Sequence, residues 1–156
     1  MRIESIADHL DLIPLIGRWH WDKWGHADPQ GSLETWTRGL AEKTVRDGVP
    51  TTFVALDGGG EAVGSVTLVE HDMPDRPELA EMTPWIAGTF VVAHARGRGV
   101  GSALMRHATA EAKRWGISRL YLYTSTAERF YEALGWKTLD HLVYEGEPNA
   151  VMTLDL

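Results

Sequence analysis

The sequence predicts a mixed α/β (α+β) fold in a single domain that spans residues 1–156. Segments in which apolar residues alternate are interspersed with segments in which they recur every three to four positions, the periods of strands and helices. A hydrophobic content of 44% and a charged content of 24% are those of a globular chain. We therefore expect a central mixed sheet of six to seven strands flanked by about four helices.

The predicted elements follow one another as β-α-α-β-β-β-α-β-α-β-β. Strands are predicted at Met1–Ser5, Thr51–Leu56, Ala62–Val69, Trp85–Val92, Leu120–Tyr123, Lys137–Tyr144 and Ala150–Leu156. Helices are predicted at Asp8–Trp24, from Ser32 to the Asp47-Gly48 turn, at Val100–Trp115 and from Ser125 to Gly135.

Local signals justify the elements of the first half. Apolar residues such as Ile13 and Ile16 recur at helical spacing in the first helix. Ser32 is a favourable N-cap for a second helix that extends through Val45. The segment Asp57-Gly58-Gly59-Gly60 is typical of a hairpin turn between two strands, and a polar loop follows them at 73–82.

The second half carries the clearest helix. Its apolar residues recur every four positions from Val100 to Ala112, and Gly116 is suited to the position just after a helix end. Ser125 and Glu128 have the spacing of a capping box, which predicts Ser125 as the N-cap of the last helix.

Composition excludes several classes of function. A formal net charge of −7 argues against nucleic-acid binding, which needs a basic surface. The absence of cysteine excludes disulfides, thiolate nucleophiles and cysteine-ligated zinc. His, Asp and Glu show no metal-binding spacing, so we expect no metal. No apolar run has the length of a signal peptide core or a membrane span, so we expect a cytoplasmic protein without a membrane partner.

Acidic residues are concentrated in the middle of the chain. The segment 51–83 contains Arg76 as its single basic residue, and its acids are Asp57, Glu61, Glu70, Asp72, Asp75, Glu78 and Glu81. Charge runs commonly form solvated surfaces, and the same segment is also suited to attract a cation.

A glycine-rich segment, Arg96-Gly97-Arg98-Gly99-Val100-Gly101, connects a predicted strand to the clearest helix. Glycines at such a turn let backbone amides point outward together, and the positive end of the helix adds to their attraction for an anion. A P-loop would need Lys-Ser/Thr after the last glycine, where the chain has Ser102-Ala103. A dinucleotide fingerprint would need a third glycine at Ser102, so both nucleotide motifs fail.

The chain resembles the GNAT superfamily of N-acetyltransferases in two motifs. The acetyl-CoA signature Gln/Arg-x-x-Gly-x-Gly/Ala is matched by Arg96, Gly99 and Gly101, and Phe130–Trp136 matches a second motif, Phe-Tyr-x-x-x-Gly-Phe/Trp. The resemblance implies the GNAT fold, with an acceptor-side half at 1–83 and an acetyl-CoA-binding half at 84–156. It also implies transfer of an acetyl group from acetyl-CoA to a primary amine by direct attack in a ternary complex.

The resemblance assigns cofactor-binding roles to this sequence. The pyrophosphate of coenzyme A would lie on the loop, and the pantetheine arm would pair with the preceding strand, where the Val91 amide would polarise the thioester carbonyl. Thr124 and Ser125 match positions that contact the cofactor from the other side. The implied cofactor-binding residues are Thr89, Phe90, Val91, Arg96, Gly97, Arg98, Gly99, Val100, Gly101, Ser102 and Thr124.

Tyr131 matches the tyrosine that protonates the departing thiolate in many members, although it could instead be a packing partner of its aromatic neighbours. Since Phe130 and Leu134 lie four residues apart, we expect them to form the buried face of their helix and to leave Tyr131 directed into a cleft.

The acceptor amine must lose a proton before it attacks, so a base is expected. Glu70 and Asp72 are the favoured candidates, because strand alternation would place both on one face. His94 and His26 are weaker ones. No pattern selects one of the four.

The acceptor is expected to be a small cationic amine. Four of the seven tryptophans, Trp19, Trp21, Trp24 and Trp36, lie in the first two predicted helices. At helical spacing at least one should be exposed or line a pocket, and an aromatic wall beside acidic residues favours a cation. A peptide or protein amine, a non-catalytic acyl-CoA-binding domain and a nucleotide-binding module are the alternatives. A homodimer is possible, with the strand Ala150–Leu156 pairing across its interface.

Overall fold

A seven-stranded mixed sheet in the order β1-β2-β3-β4-β5-β7-β6 forms the centre of the structure, a computed structural model that describes residues 1–156. The strands are β1 (Arg2–Ser5), β2 (Thr51–Leu56), β3 (Ala62–Val69), β4 (Trp85–Val91), β5 (Arg119–Thr124), β6 (Lys137–Tyr144) and β7 (Glu147–Asp155). The helices are α1 (Ile13–Trp24), α2 (Leu33–Ala41), α3 (Val100–Arg114) and α4 (Glu128–Ala133). The predicted fold class and element order are confirmed. No helix has both the length and the apolar character needed to cross a membrane.

Two predicted helices are shorter in the structure. Two 3₁₀ turns, Ile6–Asp8 and Leu10–Leu12, occupy the start of the first predicted helix. The second helix ends at Ala41 rather than at Gly48, because the Val45 amide donates to the Pro50 carbonyl as the chain turns back toward β2.

The capping box predicted for α4 is wrong. Its N-cap is Ala127, and the Thr124 hydroxyl accepts hydrogen bonds from the amides of Thr126 and Ala127 at 3.3 and 3.0 Å. The Glu128 carboxylate instead accepts from the Thr138 hydroxyl and lies 3.0 Å from Nε2 of His141. The turn that starts α4 is therefore stabilised by the end of β5.

The terminal strand is an interior strand of the sheet. β7 begins at Glu147, three residues earlier than predicted, and pairs with β5 on one edge and β6 on the other. Because both edges are occupied, the expectation that this strand pairs across a dimer interface is wrong.

The two faces of the sheet are covered differently. On one face, Leu104 and Met105 of α3 pack with Phe53 and Val66 in an apolar core. On the other face, α1 and α2 pack on the sheet through a smaller cluster that includes Ile16. This second face also holds buried hydroxyl groups, which lie beneath the candidate site.

The sheet opens between β4 and β5. These parallel strands pair only at Trp85 and Tyr121, while the antiparallel pairs on either side continue for several residues. Beyond this pair the backbone edge of β4 has no strand beside it, and we call this space the gap. It is the part of the fold where a ligand could reach the backbone from either face.

Candidate active site

The glycine-rich loop forms a cradle of free backbone amides. Gly97 and Gly99 adopt φ angles of +73° and +81°, which side chains disfavour, and a Cβ at either residue would have no atom within 4 Å. The amides of residues 97–102 donate no hydrogen bond within the chain, and the first one used is that of Ala103, to the Gly99 carbonyl at 3.0 Å. With the α3 N-terminus behind them, these amides are suited to bind an anion such as a pyrophosphate.

The two arginines of this loop differ in their surroundings. Nε of Arg96 donates to the Val91 carbonyl at 2.9 Å, and its guanidinium lies 5.9 Å from the centre of the Phe90 ring. Arg98 is exposed and makes no ion pair, so its charge is available to an anion on the loop. A Cβ at Gly101 would lie 3.4 Å from Phe130, which therefore packs over the start of α3.

The edge of β4 presents the Val91 amide to the gap. The Val92 amide donates to the Val63 carbonyl at 3.0 Å, and antiparallel pairs alternate between bonded and non-bonded. The Val91 amide and carbonyl therefore point away from β3. Thr89 directs its side chain toward α3, with its hydroxyl 3.6 Å from Sδ of Met105, whereas Phe90 stacks on Trp19 of α1.

Tyr131 is buried, and the predicted orientation of α4 is wrong. The exposed fraction is 9% for Tyr131 and 37% for Phe130, the reverse of the expectation, and Leu134 is only half-buried. The Tyr131 ring packs between those of Phe130 and Trp136, with centroids 5.0 and 6.3 Å away. Phe130 remains partly exposed because its ring packs over Gly101, which has no side chain to occupy that space.

The Tyr131 phenol nevertheless reaches the β4 edge. Burial raises the pKa of this phenol, and the nearby Thr89 side chain acts in the opposite direction. Tyr131 therefore keeps its proton at neutral pH, beside the strand that borders the gap.

The two candidate bases have different environments. β3 ends at Val69, so the alternation expected to place Glu70 and Asp72 on one face does not extend to them, and that prediction is wrong. Glu70 is exposed, and its backbone carbonyl accepts a hydrogen bond from the Thr83 hydroxyl at 2.6 Å. Asp72 is half-buried, and its side chain makes no hydrogen bond and no ion pair.

Burial raises the pKa of the Asp72 carboxyl to about 7. The nearby Lys43 ammonium opposes this rise, and the Glu145 carboxylate adds to it. Burial likewise lowers the pKa of Lys43. Asp72 can therefore exchange a proton near neutral pH, as a general base must.

Asp72 belongs to an acidic face, which we define as Asp28, Asp72, Asp75 and Glu145. These residues come from the α1–α2 connection, the β3–β4 loop and the β6–β7 turn. The carboxylates of the other three each lie close enough to Glu145 for like-charge repulsion between them. The Tyr144 hydroxyl donates to Asp75 at 2.8 Å and holds the loop on the hairpin. The sequence analysis did not single out Glu145, since only the tertiary fold brings its turn to this loop.

The acidic face lies next to the gap. Tyr123 of β5, two residues beyond the paired Tyr121, feels the charge of Asp72, and burial raises the pKa of its phenol. Tyr123 also packs on Tyr144 with ring centroids 5.3 Å apart. Asp72 is therefore close to the strand that forms the second border of the gap.

Aromatic side chains form the wall on the α1 side. Trp24 packs edge-to-face on Phe90 at 6.5 Å, and Trp21 packs on Trp36, whose indole nitrogen donates to Asp28 at 2.7 Å. All four N-terminal tryptophans are half-buried rather than fully exposed. Of the weaker candidate bases, His26 and His94 are both exposed.

Thr124 is the last residue of β5, and Ser125 follows it in the turn that leads to α4. The Thr124 hydroxyl serves the turn that precedes the helix, and Ser125 is exposed. Both residues border a surface cavity that is also lined by Phe130 and Asn149. Through Phe130 this cavity adjoins the glycine-rich loop.

The raised pKa of Asp72 predicts a pH-dependent stability. The favourable contribution of the protonated Asp72 carboxyl is complete below about pH 4 and is lost as the pH rises toward 7, because the folded chain must then hold a partly desolvated charge. We expect D72N to gain stability relative to the wild type across this range, by about 1–2 kcal/mol at pH 8 because water reaches the carboxyl. Urea unfolding at pH 5 and pH 8 measures this difference. The exposed Glu70→Gln should show no such pH-dependent gain, and an equal gain would contradict the assignment.

Comparison with known proteins gives matches over almost the whole chain. A family model described as "Acetyltransferase (GNAT) family" matches residues 13–136. A search of curated protein sequences gave no significant match.

Solved structures share the fold. An aminoglycoside 6'-N-acetyltransferase complexed with coenzyme A has a TM-score of 0.75 at 15% identity, with 99% of this chain and 97% of that chain covered. An acetyltransferase structure from Exiguobacterium sp. 255-15 has a TM-score of 0.65 at 25% identity, with coverages of 99% and 92%. A spermidine N-acetyltransferase chimera from Vibrio cholerae and hSSAT has a TM-score of 0.72 at 16% identity, with coverages of 99% and 96%.

The family match spans most of the chain, including the glycine-rich loop, the gap and the helix that carries Tyr131. The chain is therefore a member of the GNAT family of acetyltransferases.

Proposed function

We propose that this protein transfers an acetyl group from acetyl-CoA to the primary amine of a small cationic molecule, by direct attack in a ternary complex. The observation that carries the proposal is the gap, which has a cradle of free amides at one end and an ionisable carboxyl, Asp72, on its acidic side. Fold neighbours that are aminoglycoside and spermidine N-acetyltransferases support an amine acceptor.

The free amides of residues 97–102 would hold the pyrophosphate of coenzyme A, with help from the α3 N-terminus and Arg98. Within the segment Thr89, Phe90 and Val91, the backbone groups that face the gap, the Val91 amide among them, would pair with the pantetheine arm as a neighbouring strand would. The Val91 amide, which faces the gap, would donate to the thioester carbonyl and stabilise the negative charge that develops there.

Asp72 and Tyr131 would then act from opposite faces of the sheet. The Asp72 carboxylate takes a proton from the acceptor ammonium, and the resulting amine attacks the thioester carbon. A C–N bond forms, the C–S bond breaks, and Tyr131 donates its proton to the sulfur. The nitrogen loses its second proton to solvent as the amide forms, the Tyr131 phenolate takes a proton back from solvent, and Asp72 releases its own, so that one proton is released in each turnover.

The acidic face and the aromatic wall favour a cationic acceptor. Carboxylates such as Asp28 and Glu145 attract an ammonium over a distance, and Trp24 with Phe90 offers aromatic surface for cation–π contact. These groups therefore favour a small polyamine-like or aminoglycoside-like molecule as the acceptor. A peptide amino group is the alternative that the assay below separates.

The proposal is tested first by thermal denaturation with acetyl-CoA, desulfo-CoA, ATP and NAD. A ligand at about 100 times its dissociation constant stabilises a fold by roughly 2.7 kcal/mol, which shifts the melting temperature by several degrees. We expect a shift with acetyl-CoA and none with ATP or NAD. CoA release is then measured with diamines, an aminoglycoside and a peptide. No shift with acetyl-CoA would refute the proposal, and turnover of the peptide alone would refute the small-molecule acceptor.

The cradle predicts a specific sensitivity to side chains on its glycines. Gly99→Ala places a Cβ at φ +81°, which costs about 1–2 kcal/mol in that conformation and turns the loop amides away from their common direction. We expect acetyl-CoA affinity to fall about tenfold, as measured by calorimetry. Gly58→Ala, in the open hairpin between β2 and β3, is the matched control and should leave affinity unchanged. Equal affinity in the two variants would show that the loop amides do not bind the ligand.

A further inference from the structure

A buried polar network lies under β4, and none of the steps above uses it. Ser65 of β3 pairs with Phe90 and Thr67 pairs with Ala87, so two residues of β4, Gly88 and Thr89, stand opposite one residue of β3. This is a β-bulge, and it lies in the part of β4 that borders the gap, immediately before Phe90 and Val91.

The bulge depends on a glycine and on a histidine from α1. Gly88 has a φ angle of +56°, and a Cβ there would lie 3.0 Å from Cε1 of His20. The Ser65 hydroxyl donates to the Gly88 carbonyl at 3.3 Å, and Nε2 of His20 lies 3.0 Å from the same hydroxyl oxygen. The imidazole therefore packs directly on the bulge and is linked to it through Ser65.

The protonation of this network follows from its geometry. The Gly88 carbonyl can only accept, so both contacts of the Ser65 hydroxyl are hydrogen bonds when its single proton goes to that carbonyl and Nε2–H of His20 donates to its oxygen; we assign the network in this way. Burial lowers the pKa of His20 to about 4, so the ring is neutral at neutral pH, and the assignment above puts its one proton on Nε2. His20 and Ser65 are buried, and the ring of Trp24 packs edge-to-face on His20 at 5.4 Å.

The bulge sets where the amides after it point. An extra residue in a strand shifts the alternation of every following N–H, so the bulge decides that the Val91 amide faces the gap. The amide cradle at residues 97–102 is a separate loop at the start of α3, and no hydrogen bond joins it to His20, Ser65 or Gly88. A change confined to the bulge should therefore weaken the hydrogen bond from the Val91 amide to the thioester carbonyl more than it lowers the affinity for coenzyme A.

We propose that His20 is a positioning residue whose Nε2–H holds the Ser65 hydroxyl on the Gly88 carbonyl and so fixes the direction of the Val91 amide. This inference rests on the proposed acetyl transfer. It assigns a role in that reaction to a side chain that lies beneath the sheet and does not contact the reacting atoms.

The test compares His20→Leu, which fills the volume without a donor, with His20→Gln, which can place an amide N–H near the position of Nε2. We expect His20→Leu to lower kcat at least about tenfold, while the dissociation constant of acetyl-CoA changes less than about threefold. His20→Gln should recover most of the loss. Adding Ser65→Ala to His20→Leu should cause no further loss, because both changes break the same connection.

A spectroscopic readout separates this inference from the proposed function. In wild-type protein with carbonyl-labelled acetyl-CoA, hydrogen bonding from Val91 should lower the infrared stretching frequency of the bound thioester, and His20→Leu should reverse most of that change. If the wild type does not bind acetyl-CoA, the proposed function fails. If it binds with a shifted carbonyl band that His20→Leu leaves unchanged, the proposed function stands and the role of His20 is refuted.

Equal loss of kcat in the Leu and Gln variants would also refute the role of the donor. If His20→Leu does not fold, Ser65→Ala and Ser65→Thr replace the pair, since the second keeps the hydroxyl. Ser65→Ala with full kcat and an unchanged carbonyl band would then overturn the inference.

Discussion

D72N is expected to lower kcat/KM for amine acceptors by about 100- to 1000-fold, which lies within the range typical for loss of a general base. Asparagine has nearly the same shape and cannot take a proton from an ammonium ion. Because the side chain of Asp72 has no internal partner, its replacement breaks no hydrogen bond or ion pair of the fold. Initial rates of CoA release over a range of amine concentrations measure the effect.

The pH dependence of kcat/KM tests the role of Asp72 most directly. Since the ionised carboxyl is the active form, wild-type kcat/KM should rise as the pH increases through about 7 and then level off. In D72N the rate should continue to rise with the fraction of free amine. The matched control is Glu70→Gln, an exposed carboxyl two residues away, which should retain activity within about twofold. A larger loss in Glu70→Gln than in D72N would assign the base to Glu70.

Tyr131→Phe is expected to lower kcat by about 100-fold while the affinity for acetyl-CoA changes less than about threefold. Only the hydroxyl is lost, so the packing between Phe130 and Trp136 is kept. Because burial keeps this phenol protonated, its removal leaves the departing thiolate without a proton donor. Steady-state kinetics with the preferred amine and calorimetry with acetyl-CoA measure the two quantities.

The control for Tyr131 is Tyr121→Phe, a half-buried tyrosine of β5 whose ring packs near Trp85. Its activity should stay close to that of the wild type. Acetyl thioesters with a more acidic thiol should lose less rate in Tyr131→Phe, because they need less help from an acid. A uniform loss for all thioesters would assign Tyr131 to packing rather than to proton transfer.

Features that depend on a few consecutive residues could be predicted from the sequence. The strand bounds Thr51–Leu56 and Ala62–Val69 follow from alternation and a glycine turn, and both are confirmed. The glycine-rich loop could be placed at a helix start because its signals are local as well. The end of α2 was missed, since the reversal depends on a hydrogen bond from Val45 to a residue beyond the turn.

The environments of the candidate catalytic residues could not be predicted in this way. The burial of Tyr131 depends on Phe130 covering a glycine of another helix, and helical spacing does not contain that information. The difference between Glu70 and Asp72 depends first on the burial of the Asp72 carboxyl and then on the charges of Lys43 and Glu145, which come from distant segments. Likewise His20 looks like an isolated histidine in the sequence and acquires its partner only when α1 packs on β3.

The single residue pair that joins β4 to β5 has a consequence for the lifetime of the protein. A sheet is least stable where its strands share the fewest hydrogen bonds, so the unliganded chain should open locally between β4 and β5 first. A pantetheine arm bound in the gap would connect β4 and β5 in the place of a strand. We expect acetyl-CoA to slow hydrogen exchange in β4 and β5 and to delay proteolysis. The supply of the co-substrate would then help to determine how long each copy of the protein survives.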